Sequence, residues 1–71
     1  MRATAGRIVH YVPAHAVVHE CLAAIVTGSA RGGEITMTVF RPSAIEILDQ
    51  GVPEDQSEKA GGTWHWPERE S

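Results

Sequence analysis

The sequence predicts an all-β, mainly antiparallel domain, a small five-stranded open barrel of SH3-like or OB-like type. Three observations carry this expectation. The β-branched and aromatic residues fall in short runs, several of them alternating with period two, and no run makes a convincing helix. Glycines and prolines, seven and four of them, punctuate the runs. The chain has 71 residues, 42% of them apolar and 21% charged, which suits one globular domain and excludes the paired βαβ layers of a doubly wound sheet or a barrel enzyme.

The first strand is read at Gly6-Arg7-Ile8-Val9-His10-Tyr11-Val12, stopped by Pro13, which has no N–H to give a ladder. Cys21-Leu22-Ala23-Ala24-Ile25-Val26-Thr27 is apolar at both alternating sets of positions, as in a strand buried on two faces; its Leu-Ala-Ala start also allows a helix, and Gly28, following so soon, favours the strand. Gly28 to Gly33 reads as a hairpin-type connection whose glycines supply positive φ. Glu34-Ile35-Thr36-Met37-Thr38-Val39-Phe40 alternates cleanly and gives a third strand, here also taken as a sheet edge. After Arg41-Pro42-Ser43, the run Ala44-Ile45-Glu46-Ile47-Leu48 alternates again as a fourth. Residues 49–62 are poor in apolar groups and read as a long acidic loop. Thr63-Trp64-His65-Trp66 makes a short fifth strand, both indoles on one face and the imidazole on the other, before a tail at 67–71. Ile8, Val12, Leu22, Val26, Ile35, Met37, Val39, Ile45 and Ile47 are the expected core.

Charge narrows the function. The net charge is −3, and it is uneven: residues 1–48 balance to +1, whereas residues 49–71 balance to −4. Binding along nucleic-acid phosphates needs clustered Lys and Arg and is disfavoured. No apolar run approaches a membrane span. The single Cys21 excludes an internal disulfide, and with no leader pattern ahead of it the expected compartment is a reducing cytoplasm. A chain this short forms a marginal core, so self-association, a homodimer first, is expected.

Lys59-Ala60-Gly61-Gly62-Thr63-Trp64-His65-Trp66-Pro67-Glu68 resembles the closing signature of a family of small proteins encoded by actinobacterial phages and prophages. Gly6 to Val12 and Glu20 to Thr27 resemble that family's opening strands. The pattern departs at the short loop Pro13–His19 and at Arg41-Pro42-Ser43-Ala44, which stands in place of an Asn-Pro-Thr-Gly-like turn. The resemblance implies a setting, an accessory protein of phage origin acting in the cytoplasm of a bacterial host cell, and carries over no activity.

Two functional classes follow. In the first, Gly61 and Gly62 let the backbone approach a flat anionic ligand, Thr63, Trp64, His65 and Trp66 supply stacking and polar contacts, and Arg41 supplies charge. A nucleotide-type immune signal of the host, sequestered in an anti-defence role, is the ligand expected. Against this, two indoles at i and i+2 also serve as the plug of a small barrel. In the second class, the Trp pair or the strand Glu34–Phe40 binds, and inhibits or recruits, a host protein. His15, His19 and Cys21, with His10 nearby, have donors that zinc accepts, but not the spacing of two short knuckles, so no metal and no cofactor is expected. No nucleophile with an oxyanion-binding loop and no fixed carboxylate pair is legible, so the chain is expected not to be an enzyme.

Overall fold

The computed structural model describes residues 3–14 and 21–67. Five strands, β1 (Ile8–Val12), β2 (Leu22–Ser29), β3 (Ile35–Arg41), β4 (Ala44–Val52) and β5 (Thr63–His65), form one curled antiparallel sheet in the order β4-β3-β2-β1-β5. The first four strands pair in sequence, a meander rather than the Greek key of an OB barrel, and β5 joins the far side of β1. The curl brings the chain leaving β4 back to β5. There Trp64 N–H donates to Pro53 O at 3.0 Å and Asp55 N–H to Trp64 O at 2.9 Å, around a parallel bridge between Glu54 and Trp64. The result is a half-barrel. Among the described residues no helix is long and apolar enough to cross a membrane.

One face of the sheet is the core: Val9, Tyr11, Leu22, Ala24, Val26, Ile35, Met37, Val39, Val52 and Trp64. Strand period explains the set, because residues two apart share a face and partners in register share it too. Val9 opposes Ala24, Ala24 opposes Val39, and Val39 opposes Glu46. Between β2 and β3 the connection is a single 3-10 turn at Arg31–Gly33, with Gly32 and Gly33 at φ of 71° and 81°. Gly32 and Gly33 thus carry the positive φ expected of that turn, but Gly28 and Ser29, expected within it, belong to β2 and pair with Thr36 and Ile35.

Several expectations need correction. Val12, Leu22, Val26, Ile35, Met37 and Val39 are buried, but Ile8, Ile45 and Ile47 are not. In β1 the inward set is Val9 and Tyr11, leaving Ile8 on the outer face. In β4 the inward set contains Glu46, whose carboxylate accepts from Arg41 at 2.6 Å at the sheet rim, so Ile45 and Ile47 point out. Strand β2 is buried on one face only, with Ala23, Ile25 and Thr27 exposed. Strand β3 is flanked on both sides; the sheet order puts β4 and β5 at its ends. Strand β4 continues through Asp49–Val52, where the register shifts between the Met37–Leu48 and Ile35–Val52 pairs. The polar Asp49-Gln50-Gly51 that reads as a turn is thus a bulge, a feature edge strands accommodate because their outer side is solvated.

Candidate functional site

The segment 61–66 is held by its own chain. A Cβ on Gly61 would lie 3.0 Å from Ala14 O and 3.1 Å from Pro13 O, so the close backbone approach that glycine permits there is to another loop. Gly62 sits at φ +82° and donates its N–H to Val12 O at 2.7 Å, starting the β1–β5 ladder. Thr63 Oγ1 donates to Ala60 O at 2.5 Å. The preceding loop is organised by Asp55, whose carboxylate accepts from Glu58 N at 3.0 Å, Ala60 N at 3.3 Å and Ser57 Oγ at 3.4 Å. Backbone donors from Glu58 and Ala60 hold the Asp55 pKa below its ordinary value.

Trp64 is 3% exposed and lies in the core opposite Tyr11. Its indole N–H meets no acceptor among the described residues, so the ring acts as apolar filler. Burial raises the Tyr11 pKa, with the Glu46 charge adding to the rise and Arg41 opposing it. Trp66 is half-buried against the same core, its ring edge-on to Trp64 at 5.4 Å between centroids, and its N–H donates to Gln56 Oε1 at 2.8 Å. Both indoles therefore sit on one side, as the alternation implies. Arg41, at the end of β3, is separated from the tryptophan segment by β1 and β2 in the sheet and is engaged with Glu46. The aromatic segment and Arg41 are not brought together.

Two features escape the sequence. The first is the outer face of the sheet, where Ile8 (59% exposed), Ile25 (38%), Phe40 (42%), Ile45 (62%) and Ile47 (70%) stand in adjacent rows. Register sets them side by side: Ile8 opposes Ile25, Ile25 opposes Thr38, Thr38 opposes Ile47, and Phe40 opposes Ile45. The second is a group of His10, Cys21 and His65, whose donor atoms lie within 4.8 Å of one another. His10 and His65 are register partners with rings edge-on at 5.4 Å, and Cys21 Sγ is 3.5 Å from His65 Nε2. His15 and His19, which the linear spacing couples to Cys21, lie outside the described residues. Near Trp66 a cleft of about 580 Å³ is lined by Gly6, Arg7, Ile8, Trp66 and Pro67.

No family model, no curated protein and no solved structure matches the chain.

Proposed function

We propose that this chain is a non-catalytic interaction module that self-associates through the outer face of its sheet. The observation that carries the reading is the set of five large apolar side chains, 38–70% exposed, gathered on one face. Single exposed apolar residues are ordinary on a protein surface, whereas a contiguous group marks a contact site. A second copy fits this face best. The outward positions around this group, Ile8, His10, Ala23, Ile25, Thr27, Thr36, Thr38, Phe40, Ile45 and Ile47, include no Asp, Glu, Lys or Arg. For a chain of net charge −3, a neutral face is where two copies meet without like-charge opposition. Strand β4 also stands at one end of the sheet and carries Ile45 and Ile47, so a two-fold partner across it meets the same residues on both sides. In the setting implied by the phage and prophage resemblance, the dimer is an accessory protein of the host cytoplasm.

Light scattering over micromolar concentrations tests the reading: mass should approach twice 7.7 kDa as concentration rises. A chain that stays monomeric throughout, including one that captures a different protein, would count against it.

A second reading is favoured by the cleft between Arg7 and Trp66. A cleft lined by both an indole and an arginine suits a flat anionic molecule such as a nucleotide. It moves the expected stacking site from Trp64, His65 and Arg41 to Trp66, Arg7 and Ile8. A panel of cyclic and linear nucleotides titrated against Trp fluorescence should give quenching that Trp66→Ala removes; a flat titration across the panel argues against it.

A further inference from the structure

We propose that His10, Cys21 and His65 form a zinc site that ties β1, the entry to β2 and β5 together. The three residues are far apart in sequence, and the sheet assembles them. His10 and His65 oppose each other in the β1–β5 ladder. Cys21 lies two residues before Ala23, the β2 partner of His10, and so occupies the diagonal position on the same face.

The donor set and the spacing fit the ion. Zinc takes imidazole nitrogen at about 2.0–2.1 Å and thiolate sulfur at about 2.3 Å, and a tetrahedron with those bonds separates sulfur from nitrogen by about 3.5 Å. Cys21 Sγ and His65 Nε2 are 3.5 Å apart, and no donor pair in the group exceeds 4.8 Å. The matching nitrogen–nitrogen edge is about 3.4 Å, within reach of a rotation of the half-buried His10 ring. His65 is fully buried, so one ligand is fixed by packing, while Cys21 is exposed and gives the ion an entry path. Binding converts the Cys21 thiol to thiolate and releases its proton to solvent, leaving a fourth position for water or another ligand. For a short chain whose core is small, a clip joining three strands is the kind of support such domains use. The site lies on the same outer face as the apolar rows, beside Ile8 and Ile25 and away from Ile45 and Ile47, and its three ligands all come from one chain, so it does not require self-association.

The test uses the full chain, purified with a chelator and then titrated with Co²⁺ as a spectroscopic stand-in. Expected are one ion per chain, a thiolate-to-cobalt charge-transfer band, d–d absorption of tetrahedral intensity, and displacement by Zn²⁺ together with a higher melting temperature. Cys21→Ser should lose the charge-transfer band, and His10→Gln should weaken binding at least tenfold. Both positions are clear of the core, so these variants keep the fold even if His65→Gln does not. Absence of the charge-transfer band in the wild type would overturn the proposal, as would wild-type affinity in His10→Gln. A thiol that is alkylated equally fast with and without Zn²⁺ would overturn it too.

Discussion

Replacing Ile35 and Ile47 in turn by Thr separates the two faces of the sheet. Both changes keep a β-branched side chain in a strand, so backbone preference largely cancels and burial decides. Ile35 is 4% exposed and packs in the core; Ile47 is 70% exposed on the outer face. At Ile35 the loss of two carbons removes about 1.6 kcal/mol of transfer free energy. Burying a hydroxyl there costs about 1–3 kcal/mol more. The total, about 2.5–4.5 kcal/mol, lowers the melting temperature of a domain this size by at least about 10 °C. Ile47→Thr should stay within about 0.5 kcal/mol of wild type. The assay is thermal unfolding followed by circular dichroism, at a concentration dilute enough to keep the chain monomeric. Equal losses, or a larger loss at Ile47, would refute the assignment of faces.

The remaining predictions concern the closing segment and the pH profile. Trp64→Ala should cost about 3–5 kcal/mol as a core truncation. Trp66→Ala, on a half-buried ring, should cost clearly less in the same urea titration. Gly62→Ala forces an L side chain to φ +82° and should destabilise by about 1–2 kcal/mol, whereas Gly32→Ala, on an open turn, strains the backbone without touching the β1–β5 ladder. Because the folded Asp55 pKa is lowered, its contribution is present above the ordinary 3.8 and is lost as pH falls through that value toward the folded one; Asp55→Asn should flatten this acid limb of a stability–pH curve. For Tyr11 the folded pKa is raised, so stability is full below 10.0 and declines as pH rises beyond it; Tyr11→Phe should remove that decline.

How much of this the sequence contains depends on which interaction decides each element. The inward face of strand β3 is legible because Thr36 and Thr38 alternate with Ile35, Met37 and Val39, whereas its place between β2 and β4, and not at a sheet edge, is not. Strands β1 and β4 offered apolar residues at both parities, and alternation alone does not say which set turns inward. Register does, and in β4 it sends Glu46 inward, where Arg41 meets its carboxylate. The end of β4 was hidden because Asp49-Gln50-Gly51 carries the composition of a turn, although ladder bonds beyond it resume at Val52. At the site, local spacing grouped Cys21 with His15 and His19, while the register of β1 against β2 and β5 groups it with His10 and His65. Such long-range pairings leave no signature in a single sequence. Thr63-Trp64-His65-Trp66 reads as a short strand with both indoles on one side; the strand spans Thr63–His65, both rings pack toward the core, and the burial of Trp64 follows from the curl that brings Pro53–Asp55 against β5.

The central claim, that the outer face is a self-association surface, is tested most directly by comparing Ile47→Glu with wild type in sedimentation equilibrium at matched micromolar concentrations. A two-fold interface counts each substitution twice, so a loss of about 1.4 kcal/mol per copy weakens the dimer about a hundredfold. The account predicts a wild type in monomer–dimer exchange and a variant that is monomeric, with the melting temperature of the dilute monomer unchanged. A wild type that sediments as a monomer across the range, or a variant that dimerises as strongly as wild type, would contradict it.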